Sequence, residues 1–310
     1  MKQEQIDVFT YLKKYSTNLK RKFTEVKTLY HYTSQSSLKG IVEKIAIWLS
    51  HIQWQNDKME LVYGKQFITM LVNEKYQPEA NNAQRNYWER VIKDVDAFFS
   101  KCNIFTFSLS ADPDSLSQWR GYTNLREGGN AIGFGFVDFQ NLLNKKGYLI
   151  LPVVYDKEEQ REYIEEYLNG FIDIQIKFQE QKIESNDFLN LWASFINFLS
   201  ILLITFKSDS FQEEREWRVV FGDSFFVDGK FIHKLEKLFL PKPQFRVKGK
   251  YFIPYIELSF AEEKTSIIKE IYLSPDVDNR ERKRNYEYFL SMHKMLDVEI
   301  IESKIQYRIG

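Results

Sequence analysis

Cysteine is almost missing from this chain. Cys102 is the only one in 310 residues, which excludes an internal disulfide and a zinc site built on cysteines. Histidine is scarce as well. His31, His51, His233 and His293 stand far apart, with no partners at metal-ligand spacing, so no metal is expected. Charge of one sign is lacking: Lys+Arg and Asp+Glu each total 43, and the overall balance points to neither nucleic acid nor an acidic membrane. No Walker loop, nucleophile elbow, HExxH or GxGxxG occurs, so the common nucleotide and hydrolase signatures are absent. Long hydrophobic runs are missing too. The longest, Trp192 to Phe206, falls about five residues short of a bilayer span and contains Asn197, so it reads as a buried core helix. The opening MKQEQIDVF has no continuous apolar stretch of the kind a secretory signal needs. These absences point to a soluble cytoplasmic protein without membrane contact.

What is present is a hydrophobic content of 44%, enough for one large core, and an aromatic content of 16%, which suits a ligand cleft as well as a core. Val8, Leu12, Tyr15 and Leu19 recur at helical spacing, predicting an amphipathic helix over roughly the first 22 residues. Tyr30–Thr33 reads as a strand. Ser36 and Ser37 cap a short helix through Glu43, and Ala46–Ser50 returns as a strand. Helices are expected at 57–75, where Asn56 or Asp57 would cap, and at 82–101, 157–183 and 187–207. Strands are expected at 103–108, 130–136, 148–155, 214–221, 251–260, 268–273 and 298–303, with a basic helix near 278–295. Strands dominate after residue 210 and helices interrupt the first half. The pattern predicts an α+β chain, with an N-terminal helix over 1–27, a single domain over 28–310 and a helical insertion at 157–207.

Three stretches carry candidate chemistry. In "YHYTS", His31 and Thr33 share one strand face and Tyr30 and Tyr32 the other. A neutral imidazole and a hydroxyl each donate and accept, which suits a ribose or carboxamide; a buried histidine satisfied by a backbone carbonyl is the plainer alternative. In "EEREWRVVF", Glu214, Glu216 and Arg218 fall on one face of the expected strand, and a Glu216–Arg218 salt-bridge ladder is the structural alternative to a reactive carboxylate. In "SLSQWRGY", Trp119, Arg120 and Tyr122 cluster, and an arginine between aromatics can hold a diphosphate or pack as a helix end. "NRERKRN" over 279–285 reads as a solvated helix face, with nucleic-acid contact through Arg280, Arg282, Lys283 and Arg284 as the other option.

The ordered blocks "LYHYTS", "IWLS", "FTFS", "DSLSQWRGY", "AIGFGF", "FQEEREWR", "IKEIYLSP" and "SKIQYR" resemble the bacterial domain-of-unknown-function family numbered 2971, from about Leu29 to Arg308. "HYT" followed by "SLKGIVEKIAIWLS" also resembles the start of the ADP-ribosyltransferase fold, a split mixed β-sheet. That second resemblance implies NAD as the substrate. His31 would bond the adenosine ribose, the backbone of Tyr32 would meet the nicotinamide amide, and Thr33 would support that edge. Trp48 and Ser50 would lie on the second strand beside the nicotinamide. Glu216 would be the catalytic glutamate, with Glu214 completing a Glu-x-Glu spacing. Arg120, flanked by Trp119 and Tyr122, would hold the diphosphate or orient Glu216. Tyr32 departs from the glycine common at its position. The implied activity is transfer of ADP-ribose to a protein or nucleic-acid acceptor, in a toxin or anti-phage effector with a neutralising partner protein. NAD glycohydrolysis and a non-catalytic nucleotide- or protein-binding module are the alternatives.

Overall fold

The computed structural model describes residues 26–305 apart from 55–58, 77, 79, 102, 124–127, 181–184, 223–225, 228–229, 232–240, 262–266 and 276–278. The expected N-terminal amphipathic helix and the Asn56 or Asp57 cap lie outside the described residues. In chain order the elements begin with β1 (Thr28–Ser34), α1 (Gln35–Lys44), β2 (Ala46–His51), α2 (Met59–Leu71), α3 (Asn82–Lys101), β3 (Ile104–Ser110) and α4 (Leu116–Tyr122). Next come β4 (Gly129–Gly135), α5 (Phe136–Lys145), β5 (Leu149–Pro152), α6 (Lys157–Glu180), α7 (Ser185–Ile204) and β6 (Glu216–Gly222). A two-residue pair, β7 (Phe226–Val227) and β8 (Lys230–Phe231), precedes β9 (Gln244–Lys248), β10 (Tyr251–Ser259), β11 (Ile268–Leu273), α8 (Asn279–Met292) and β12 (Glu299–Glu302). The fold is α+β, with a mixed sheet whose pairings are antiparallel except for β11 against β12.

Two apolar bodies flank the sheet. On one side α2, α3, α6 and α7 pack on each other around Trp88, Phe195 and Leu199, and Val220 of β6 joins them. On the other, α1, α5 with its Phe139, and α8 cover Leu29, Phe134 and Trp217. Strand alternation explains the division, because Trp217, Val219 and Phe221 point one way while Val220 points the other. Most of the apolar run is interior, with Trp192, Phe195, Ile196 and every residue over 199–206 buried, and among the described residues no helix is long and apolar enough to cross a membrane.

Three local expectations are corrected. Helix α1 is capped by Ser34, whose side chain accepts from the Ser37 N–H at 3.2 Å; Ser36 and Ser37 stand inside the first turn. Strand β6 starts at Glu216, because Asp209–Glu214 is a 3₁₀ turn and Arg215 is left-handed at φ 43. Helix α5 and strand β9, absent from the sequence reading, are also present.

Gly64 marks a close contact between α2 and α7. A Cβ added there would lie 2.6 Å from the backbone carbonyl oxygen of Leu203 in α7. Alanine at an exposed helical position gains up to about 1 kcal/mol over glycine. Here the obstacle is backbone that cannot rotate away, and overpacking of this kind costs roughly 1–3 kcal/mol. We expect Gly64→Ala to lower the urea unfolding midpoint, against the direction that helix propensity dictates.

Candidate functional site

Strand β3 has one edge fully taken by β6, through seven residue pairs from Ile104↔Gly222 to Ser110↔Glu216. Its other edge is divided. β2 holds the beginning, at Thr106 and Phe105, and β1 holds the end, at Tyr30↔Ser110. Between these attachments β1 and β2 diverge, joined by α1, and the middle of β3 is left without a strand on that edge among the described residues. A cavity of about 400 Å³ opens at this fork. His31 and Thr33 line it from one face of the sheet and Thr106, Ser108 and Glu216 from the other, so the cavity reaches both faces at the gap.

That gap brings His31 and Glu216 together. Tyr30, Ser110 and Glu216 are opposite one another in the register, so their side chains share a face; His31 projects to the other. In a closed sheet the imidazole and the carboxylate would be separated by backbone. Here both line one cavity, with Thr33, Trp48, Ser50 and Tyr122.

His31 is fixed by Nδ1, which lies 3.0 Å from the Ser108 carbonyl oxygen. A carbonyl only accepts, so Nδ1 carries the proton and Nε2 is left as an acceptor. The ring stacks on Phe107 at 4.1 Å. Burial pushes its pKa down to about 4, with the Ser108 bond acting in the opposite sense and the Arg246 charge adding to the drop. The imidazole is neutral at pH 7. The neighbouring tyrosines anchor the strand on its other face. The Tyr32 hydroxyl donates to the Asp112 carbonyl at 2.8 Å and accepts from the Ser115 N–H at 2.9 Å, and its ring meets Trp119 edge-on. A histidine held neutral removes stability as pH falls from its ordinary 6.5 towards 4, because the unfolded chain takes the proton first. We expect the urea midpoint to fall more steeply across that window in the native chain than in His31→Gln.

Glu216 is buried in an ion cluster. Arg218 grips it with two bonds, Nε to Oε1 at 2.8 Å and Nη2 to Oε2 at 2.9 Å. Lys207 Nζ donates to Glu216 Oε2 at 3.1 Å and to Glu214 Oε2 at 2.6 Å. Glu214 therefore joins the cluster from the end of a 3₁₀ turn, not from the strand face expected for it. Tyr122 donates to its other oxygen at 3.3 Å. Burial alone would push the Glu216 carboxyl up, but Arg218, Lys207 and the Ser108 hydroxyl outweigh it and hold the group well below the usual carboxylate range. Two carboxylates and two cations cancel. We expect Arg218→Met to cost about 3–5 kcal/mol in urea unfolding, because it strips a buried carboxylate of its main partner. Combining it with Glu216→Gln should recover much of that loss, since Lys207 and Glu214 remain as a neutral pair.

The remaining candidates separate. The Trp48 indole N–H donates to Glu257 at 3.1 Å and its ring stacks on Tyr255 at 4.3 Å. Ser50 accepts from Arg246 at 2.8 Å. Trp119 is fully buried away from the cavity, with its N–H on Asp114. The Tyr32 side chain also turns away. Arg120 is exposed on α4 and outside the cavity lining; Arg218 and Lys207 orient Glu216 in its place. Arg282 is committed to the Gly129 carbonyl at 2.6 Å, so the basic helix α8 presents fewer cations to a partner than its sequence offers. Sequence reasoning missed Arg246 and Lys248, which reach the cavity from β9. The alternation Gln-Phe-Arg-Val-Lys before Gly249 was the available signal.

No curated protein and no solved structure matches the chain. A family model described as a protein of unknown function, DUF2971, matches residues 118–219, the stretch that runs from α4 through β6 and carries Tyr122, Lys207, Glu214, Glu216 and Arg218.

Proposed function

We propose that the forked cavity binds NAD and cleaves its nicotinamide–ribose bond, passing ADP-ribose to a macromolecular acceptor or to water. The observation that carries this reading is the meeting of His31 and Glu216, from opposite faces of the sheet, in one cavity with Thr33, Trp48 and Ser50. The divided sheet supports the likeness to the ADP-ribosyltransferase fold. Neutral His31, with its Nε2 as acceptor, suits a ribose hydroxyl, and Thr33 supplies a hydroxyl on the same face. Breaking the bond builds positive charge on the anomeric carbon. An ionised carboxylate at the cavity wall stabilises that charge more in the transition state than in the ground state, which is the condition for raising the rate. Glu216 is ionised throughout the physiological range, and Ser108, bonded to it, lines the same wall. Nicotinamide leaves neutral, so the step requires no strong acid.

A second reading rests on the same cluster. A carboxylate offers about four acceptor positions, and Arg218, Lys207 and Ser108 already engage both oxygens of Glu216. On that reading the cluster is structural and the cavity binds a nucleotide without cleaving it.

Nicotinamide release from NAD labelled in the nicotinamide ring separates the two. We expect release by the native chain and a loss of about a hundredfold or more in Glu216→Gln. Thermal unfolding of that variant is measured alongside, because Arg218 and Lys207 lose a charged partner. Thr33→Val leaves the cluster intact and is expected to weaken NAD binding severalfold, the effect of one lost hydrogen bond. Equal release with and without the Glu216 carboxylate defeats the cleavage mechanism. Binding without release establishes the second reading, and no NAD binding defeats both.

A further inference from the structure

The β9–β10 hairpin stands out from the rest of the surface. Every residue of β9 is exposed, and from Lys242 to Ile256 the chain carries Lys242, Arg246, Lys248 and Lys250 with no acidic residue. The protein as a whole is neutral, so this is a local concentration of charge. The register sorts the side chains. Gln244, Arg246 and Lys248 lie opposite Tyr255, Ile253 and Tyr251, so all six share the face on which Ser50 and Trp48 also lie. This is the cavity side. Two aromatic rings stand open beside the cations, Tyr251 at 46% exposure and Trp54 at 44%, with centroids 6.4 Å apart. The Lys250 ammonium lies 5.4 Å from the Tyr251 ring. A carboxylate on the same face, Glu257, is bonded by Trp48 and paired with Lys44 at 3.9 Å.

We propose that this hairpin face is a docking surface for single-stranded nucleic acid. Bases stack on Tyr251 and Trp54, Lys250 and Lys248 meet the phosphates, and Arg246, held by Ser50, adds its charge to the face. Interleaved rings and cations are what an unpaired strand requires, because every base offers a π face and every phosphate a charge. A duplex keeps its bases stacked and presents phosphates alone, so it gains only from the cations. Helix α8 fits the role less well, since Arg282 is committed to the fold and Glu281 and Glu287 interrupt its charge. The opposite face of the hairpin, with Phe245, Val247 and Phe252 all more than 60% exposed, has no cation between its apolar side chains and would suit a lipid surface instead. The proposal stands on the hairpin alone and holds whether or not the cavity cleaves NAD.

The test is fluorescence anisotropy of the full chain with labelled mixed-sequence oligonucleotides of about 15 nucleotides, as DNA and RNA single strands and as the matching duplex. No NAD is added. At least one single strand should bind more tightly than the duplex, with affinity falling as salt rises from about 50 to 200 mM. Tyr251→Ala should weaken binding by roughly fivefold or more, the effect of losing one stacked base. Lys250→Glu should weaken it and flatten the salt dependence. Both side chains lie outside the cavity lining, so nicotinamide release to water should be unchanged in either variant. No single-strand binding at low salt overturns the proposal, as does equal binding of the duplex or indifference to both substitutions. Binding confined to phosphatidylserine vesicles, lost in Phe252→Ser and kept in Tyr251→Ala, overturns it in favour of a membrane surface. Nicotinamide release without oligonucleotide binding, or the reverse, shows which of the two claims has failed.

Discussion

A β-strand has two edges, and β3 has three partners. With β6 along one side, β1 and β2 must share the other, and α1 runs between them. The fork follows from that competition, and so does the cavity. Backbone groups facing such a gap require other partners, because an unpaired buried carbonyl is costly. The Ser108 carbonyl accepts a hydrogen bond from the His31 Nδ1–H. One bond thus satisfies the strand edge, fixes the imidazole tautomer and presents Nε2 as an acceptor. The opening in the sheet and the chemistry of its wall have a single cause.

The ion cluster has the opposite character. The fork exists because pairing is lost, whereas Glu216 survives in the interior because it is paired almost to saturation. An ionised carboxylate without partners would pay several kcal/mol in lost hydration. Arg218 does more than neutralise it, since its Nη1 also donates to the Ile204 carbonyl at 2.6 Å. The last turn of α7 is thereby tied to the strand that forms the cavity wall. Gln160 ties the same region from α6, donating to the Val154 carbonyl at 2.6 Å and the Lys207 carbonyl at 2.9 Å. The helices therefore buttress the site, and among the described residues none of 157–204 lines the cavity.

How much of this was legible in the sequence depended on whether the information was local. The alternation in "YHYTS" placed His31 and Thr33 on one face correctly, because a strand's period of two is a property of its own backbone. The long helices were legible for the same reason. The sequence left Arg120 open between a cleft and a helix end, because an arginine between aromatics looks alike in both, and only tertiary packing, which buries Trp119 and leaves Arg120 exposed outside the cavity lining, distinguishes them. Lys207 was passed over because its partners are neighbours only after the chain leaves α7 and turns back through the 3₁₀ segment. The cations of β9 were missed because its alternation spans only five residues and its apolar side chains, Phe245 and Val247, are exposed, so no buried face marks it as a strand.

The Glu214–Glu216 pair shows how a correct association can rest on a wrong geometry. On a strand, residues two apart share a face, and that rule linked the carboxylates. In the structure the link passes through a left-handed Arg215, at φ 43 and ψ 45, between a 3₁₀ turn and a strand. Ile45, at φ 50, stands in the same way between α1 and β2. A residue with a side chain pays roughly 1–2 kcal/mol for this conformation, and both positions lead directly into strands that wall the cavity. Such strain persists only where surrounding bonds over-determine it. At Arg215 they do: its carbonyl accepts from the Ala111 N–H at 2.9 Å, and its N–H donates to Gln212 at 3.1 Å. The carbonyl of Ile45 likewise accepts from Phe260 at 2.9 Å. Each left-handed residue lets the chain switch from helical to extended phase in a single step, and that step decides which side chains β2 and β6 turn toward the fork. Glu216 faces the cavity because of the residue before it as much as because of Arg218.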